Sequence, residues 1–346
     1  MNNATIKDIA KDACVSIATV SRVLNKKHCV SPKLIEKVLN SVNNLNYYPN
    51  SIARSLKTTI TYTIGLVVSD ISNNFFTEMA VQIERVIFQR KYSLIMCTTE
   101  FKKGEEKKYL EMLYSKKIDG LILNTMAEND DIICQISTKI PVVLVNRKIF
   151  KNNFHGDFVG TDCKNGAYLL TEHLLKYGHR KIGIINGPLN ISTARERYEG
   201  FKSAMKKNMH IHIGNDYIYK YNGDFSTVSG YNGISKLMNL QNPPTAVVVM
   251  NNNMLLGALK YCKSNKIEIP ENLSICSFGN INNMDLFYAQ PTIVEEDPKL
   301  IGTKVAKYIL ERIEKNKNML NRNFVYKPKL LIGDTVDYAK KCNSPH

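Results

Sequence analysis

The chain has 346 residues, 44% of them hydrophobic, and carries 47 Lys/Arg against 31 Asp/Glu for a net charge of +16. That length suits an α/β body of two lobes plus a small extra module. No apolar run approaches the ~20 residues of a membrane span, and the opening MNNATIKDIAKD lacks a secretory core, so the expected compartment is the cytoplasm.

The basic excess is concentrated at the start, where residues 1–58 hold nine Lys/Arg and three acids. Such a patch is the electrostatic footprint of a module that meets phosphate. Three helices are predicted there. Thr5 stands as N-cap before Ile6, Ile9, Ala10 and Ala13, a helical stripe that sets the first helix at about residues 6–13. Cys14 and Val15 turn the chain, and Ser16 caps a second helix with Val20, Val23 and Leu24 on its apolar side. Ile17, Ala18, Ser21 and Arg22 occupy another face. Ser31 and Pro32 then start a third helix, with Leu34, Ile35, Val38, Leu39 and Val42 closing a miniature core.

Helix, tight turn, helix and supporting helix form the helix-turn-helix arrangement, whose second helix enters the major groove. The strings TIKDIAKDACVSIATVSRVLN and VSPKLIEKVLNSVNNLNYYPNSIARSLKT resemble the signature of the lactose-repressor (LacI) family of bacterial transcription regulators. The resemblance implies that Thr5, Ser16, Ile17, Ala18, Thr19, Ser21, Arg22 and Asn25 face DNA. Pro49 to Thr58 is similar to the family's hinge helix, which is too short to be stable alone. There the resemblance assigns Asn50, Ala53, Arg54, Leu56 and Lys57 to DNA, with Leu56 as a minor-groove wedge and Ala53 allowing two hinge helices to approach. Lys7, Lys33, Arg54 and Lys57 are candidates for phosphate contacts.

From Tyr62 the pattern becomes strand and helix in alternation. YTIGLVV (62–68), SLIMCTT (93–99), DGLILN (119–124) and VVLVN (142–146) predict a first parallel sheet. KIGIING (181–187), TAVVVM (245–250) and LSICSF (273–278) predict a second. The expected fold is thus an all-α helix-turn-helix module plus hinge helix, joined to an α/β body that the resemblance implies is periplasmic-binding-protein-like. The divisions are 1–48 for the DNA-binding domain, 49–60 for hinge and linker, and 61–335 for the effector-binding and dimerisation body. Lobe one takes about 61–160 and 291–324, lobe two about 161–290 and 325–335, leaving 336–346 as a tail. That tail is too short and polar for leucine heptads, so a homodimer is expected rather than a tetramer.

Ligands in such bodies lie between the lobes at the carboxyl ends of strands. In SDISNNFF, Ser72 and Asn73 suit hydroxyls, and Phe75 or Phe76 suits a ring, one of the two being expected in the core. Arg197, in STARERYEG, stands where the family places an effector-binding arginine, and Asn146, Arg147, Asp162, Asn252, Asn280 and Glu296 complete the expected set. Family members commonly carry aspartates where this chain has Asn146, Asn252 and the pair Gly279-Asn280. The cleft has therefore lost negative charge, which Glu295 and Glu296 restore in part, so a carbohydrate-related effector and an anionic one both stay open.

The eight cysteines are scattered, without a Cys-x-x-Cys pair. His210 and His212 lack further ligands near in sequence, so neither a metal nor a cofactor is expected. There is no Gly-x-Gly-x-x-Gly after the first strand, no phosphate-loop Gly-Lys-Ser/Thr and no Gly-x-Ser-x-Gly, and no catalytic residue is assigned. A transport-type binding protein would share the body but have no use for a helix-turn-helix. The expected function is a DNA-binding regulator under small-molecule control.

Overall fold

The protein is described from a computed structural model, which covers residues 4–24, 30–47, 60–209, 214, 216–315 and 319–340. It divides into two compact units at Thr61 and Tyr62.

The first unit contains α1 (Ile6–Asp12), α2 (Ile17–Leu24) and α3 (Pro32–Asn44). At the start of α1 the Thr5 amide and hydroxyl both donate to Asp8 Oδ2 at 2.7 Å, and the Ser16 hydroxyl accepts the Thr19 amide at 3.1 Å at the start of α2. These bonds satisfy groups that the first helical turns leave unpaired. Ile9, Ala10, Ala13, Val20, Val23 and Val38 make the core. The third helix differs from its predicted packing. Val38 is buried, but Ile35 and Leu39 are exposed, and the buried neighbour is Ser41, whose hydroxyl donates to the Ile9 carbonyl at 3.4 Å. A 13-residue helix against two short ones has too little facing surface to cover its whole apolar stripe.

The second unit holds two six-stranded sheets. The first is built from β1 (Thr63–Val68), β2 (Ser93–Thr98), β3 (Gly120–Leu123), β4 (Val142–Val145), β5 (Asp157–Thr161) and β11 (Asn323–Tyr326), in the order β11-β5-β4-β3-β1-β2. The second is built from β6 (Ile182–Asn186), β7 (Lys220–Asn222), β8 (Ala246–Val249), β9 (Ser274–Phe278), β10 (Thr292–Glu295) and β12 (Lys329–Leu331), in the order β12-β10-β9-β8-β6-β7. All neighbours run parallel except β10 and β12.

Each sheet is covered on both faces, which is why its central strands read as continuous apolar runs. On the first sheet, α4 (Asn74–Phe88) and α11 (Pro298–Lys315) pack with Ile64 and Leu66, while α5 (Glu105–Ser115) and α6 (Asp130–Ser137) pack with Val67 and Leu121. On the second, α7 (Cys163–Lys176) and α8 (Ser192–Met209) cover one face, and α9 (Thr227–Met238) and α10 (Asn252–Ser264) the other. No helix among the described residues is long and apolar enough to cross a membrane.

The chain passes between sheets three times, after β5, after β10 and between β11 and β12. The second passage follows Glu295 rather than falling near residue 290, because Thr292–Val294 pair with Cys276–Phe278 of β9. The third follows Tyr326, within two residues of the expected division, because Asn323–Tyr326 pair with Phe158–Thr161 of β5. Buried Asp157 fastens these returns. Its carboxylate accepts Arg312 Nε and Nη2 at 2.7 Å and Arg322 Nη2 at 2.7 Å, joining β5 to α11 and to the segment entering β11. Residues 336–339 are packed and do not form a free tail: Val336 is buried, His179 Nε2 lies 2.9 Å from the Asp337 carbonyl, and the Ala339 amide donates to the Tyr177 carbonyl at 2.9 Å.

Candidate functional sites

The outward face of α2 is the first site. Val20 and Val23 point into the core, and the helical period therefore turns Ile17, Ala18 and Arg22 outward. Ile17 is 46% exposed and stands beside exposed Ala18, so the two present a small apolar face. Thr5 and Ser16 are exposed as well, while Thr19 and Ser21 are half-buried. The Ser16 and Thr19 hydroxyls lie 2.9 Å apart, so both serve the helix start. The expected contacts at Asn25, Asn50, Ala53, Arg54, Leu56 and Lys57 lie outside the described residues, as do His210 and His212.

The second site is a cleft of about 470 Å³, mouth included, between the carboxyl ends of the two sheets. Of the expected residues it brings together Asn73, Phe75, Phe76, Asn146, Arg147, Arg197, Asn252 and Glu296. Asn73 and Asn252 exchange amide bonds across the cleft at 3.0 and 3.1 Å, and each also sits at a helix start. Phe75 and Phe76 both belong to the apolar cluster of the first sheet and also line the cleft, their rings edge-on at 5.3 Å.

Three expected residues stand outside the cleft lining. Exposed Ser72 donates its hydroxyl to Asp70 at 2.7 Å, Asp162 accepts the Asn165 amide as the cap of α7, and Asn280 supports the wall from behind. Asn280 Oδ1 accepts the Glu296 amide at 3.0 Å, and its Nδ2 donates to the Glu296 carbonyl at 3.2 Å, so it positions Glu296. Ser69, Phe101, Asn124, Thr193, Phe225, Asn251 and Phe278 line the cleft without having been expected. Ser69, Asn124, Asn251 and Phe278 stand at or within two residues of strand ends, and Phe101 and Phe225 follow β2 and β7 by three residues, so the rule that ligands meet the carboxyl ends of parallel strands would have found these six; Thr193, in the first turn of α8, it would not.

The cleft is charged and its ionic groups are buried. Arg197 lies over the Phe278 ring at 3.8 Å, donates to the Met250 carbonyl at 2.5 Å, and holds Nη2 4.0 Å from Glu296 Oε2. Glu296 Oε1 accepts the Thr161 hydroxyl at 3.0 Å and the Asn146 amide at 3.5 Å. Burial pushes the Glu296 carboxyl above its ordinary value, against the pull of Arg197 and these bonds. Arg147 lies between Phe101 and Phe225 at 5.8 and 5.6 Å, and donates to the Thr125 carbonyl at 2.9 Å. Burial pulls its guanidinium down to about 10, with Glu106 opposing and Arg197 adding to the effect.

A helix-turn-helix unit and a two-sheet body with a polar cleft agree with what known proteins show. Residues 5–50 match the lacI family of bacterial regulatory proteins, and residues 61–329 match the periplasmic binding proteins and sugar binding domain of the LacI family. The chain belongs to the LacI family. It is similar to the HTH-type transcriptional repressor PurR of Aliivibrio salmonicida, with 34% identity over 335 residues covering 96% of this chain and 99% of the relative. Among solved structures, the Lac repressor bound to ONPG in its repressed state superposes with a TM-score of 0.82 at 25% identity, over 97% of this chain and 100% of the other. A LacI family regulator from Enterococcus faecium with bound ribose gives 0.71 at 26% identity, over 80% and 100%. As a LacI family member, this chain is a DNA-binding transcriptional regulator with an effector-binding body, not an enzyme.

Proposed function

We propose that this protein represses transcription in the cytoplasm by binding a pseudo-palindromic operator as a homodimer. Its effector, a sugar, sugar phosphate or related metabolite, lies between the lobes, lined by the eight expected residues named above. The observation that carries the reading is the outward face of α2, where Arg22 and the exposed Ile17 and Ala18 stand on one short helix. A guanidinium can donate two bonds to guanine O6 and N7, and the apolar pair suits a thymine methyl. A dimer presents two copies of this face, which is why the operator has two-fold symmetry. The segment 49–60 supplies the hinge, with Leu56 entering the minor groove at the operator centre. Effector and operator then bias one two-state arrangement of the lobes and hinges, and each alters the other's affinity by the same factor.

Operator selection followed by a double-mutant cycle tests this. Replacing the half-site guanine costs roughly 1–3 kcal/mol in the parent and almost nothing once Arg22→Ala is present. A guanine penalty that survives in Arg22→Ala sinks the assignment.

A further inference from the structure

Two guanidinium groups and one carboxylate line the cleft, and their partners do not balance them. Among the described residues, Arg147 makes its bonds to neutral groups: the Thr125 carbonyl, the Met126 sulfur and, at 3.4 Å, the Ser69 hydroxyl. Glu106 lies behind this wall and acts on Arg147 through space, since its carboxylate accepts the Met126 amide at 2.6 Å and the Asn129 amide at 2.8 Å. Arg197 spends one terminal nitrogen on the Met250 carbonyl, and its buried Nε has no partner. Its approach to Glu296, at 4.0 Å, is beyond hydrogen-bond length.

The other lining groups add no negative charge. Asn73, Asn124, Asn146, Asn251 and Asn252 are amides, and Gly279, outside the lining but next to Glu296, bears no side chain. A Cβ built on Gly279 would lie 3.4 Å from Glu296 Oε2, so a side chain at 279 would stand against the Glu296 carboxylate. Buried charge without a matching partner is costly, and a planar fork pairs best with a carboxylate or phosphate. A neutral sugar can accept hydrogen bonds from both guanidinium groups through its hydroxyls but brings no charge to offset them. Asn124 Oδ1 is also buried and unpartnered, an acceptor for a hydroxyl or N–H elsewhere on the same molecule.

Resting on the reading of this cleft as the effector site, we infer that the effector carries an anionic group, a phosphate or a carboxylate, received by Arg197 and Arg147. Phe101 and Phe225 flank the Arg147 guanidinium, and apolar rings beside a charge pair lower the local dielectric and strengthen it.

Thermal unfolding of the full-length protein at constant ionic strength tests the charge directly. The probes are paired: ribose with ribose 5-phosphate, glucose with glucuronate, and inorganic pyrophosphate alone. At millimolar concentration at least one anionic probe raises the melting temperature by several degrees and its neutral counterpart does not. The pair that responds distinguishes phosphate from carboxylate. Arg197→Gln removes the shift, and Glu296→Gln, which deletes the competing carboxylate, enlarges it. The second variant keeps the test open if the first does not fold. Equal shifts from neutral and anionic members, no shift from any anion, or an anion shift unaltered by Glu296→Gln each overturn the inference. The cleft itself is judged separately. If neutral sugars stabilise the protein and Phe225→Ala abolishes that effect, the effector site stands and only its charge preference is wrong.

Discussion

Among the described residues, the amino-terminal unit closes its core with six buried apolar residues, whereas one face of the first sheet alone gathers nineteen. A unit of that size has little burial to oppose chain entropy, so it gains from bonds at its helix starts and leaves its second helix free to present side chains outward. The body does the reverse. Its wide covered sheets hold polar and charged groups in the interior, among them Arg147, Arg197, Glu296 and Asp157, at positions that a smaller core would not keep dry. One unit works by what it exposes and the other by what it buries.

The largest effect is expected where the body's buried charge is broken. Asp157→Ala leaves the buried Arg312 guanidinium without its bidentate partner and unfastens Arg322, which also pairs with Glu311. Removal of one member of a buried pair costs about 3–5 kcal/mol. Calorimetry should show the body's transition lowered while the amino-terminal unit's is unchanged. Burial alone would push the Asp157 carboxyl up, but the bonds from Arg312 and Arg322 outweigh it and hold the group below the ordinary aspartate value of 3.8. The stabilisation is therefore complete above that value and is lost as pH falls through the lower native one. An Asp157→Ala body that melts with the parent would show that these bonds return nothing beyond their desolvation cost.

Next comes the small core. Ile9 is fully buried, and deleting its side chain to alanine costs about 2–5 kcal/mol, comparable to the whole stability of a unit of this size. Ile9→Ala should abolish operator binding while the body's unfolding transition stays in place. If both transitions move together, the two units are not the independent bodies that the comparison supposes.

The same contrast explains what could be read from the chain. The helix-turn-helix was legible because its caps and turn are local: Thr5, Ser16 and Pro32 act within a few residues of themselves. The central strands were legible because both faces are covered. Five strands were not: β7, β11 and β12 are three or four residues long with partly exposed patterns at sheet edges, while β5 (DFVGT) and β10 (TIVE) are buried inside their sheets but short and broken by polar residues or glycine, so neither reads as an apolar run. In the cleft, Arg197 and Asn73 sit in recognisable strings, but Phe101 and Phe225 are single residues in loops more than a hundred positions apart. Only the order of strands brings their rings to 6.0 Å. Ile35 and Leu39 show the converse error, since a helical stripe specifies which residues share a face and not how much of that face a neighbour covers.

The smallest expected effect belongs to the exposed face of the small unit. Lys33 is exposed and follows Pro32 in the first turn of α3, where unpaired amides and the positive end of the helix already favour an anion. A lysine there adds a point charge that meets phosphate without reading a base, so its removal should weaken binding to every sequence alike. Each phosphate contact contributes about one unit to the slope of log affinity against log salt. Lys33→Ala should therefore flatten that slope by about one unit, on the selected operator and on unrelated DNA, and leave the preference between them unchanged. Arg22→Ala should do the opposite, erasing preference for the half-site guanine. A Lys33→Ala protein with the parental slope removes the phosphate contact, and one that loses preference instead makes Lys33 a reader of sequence.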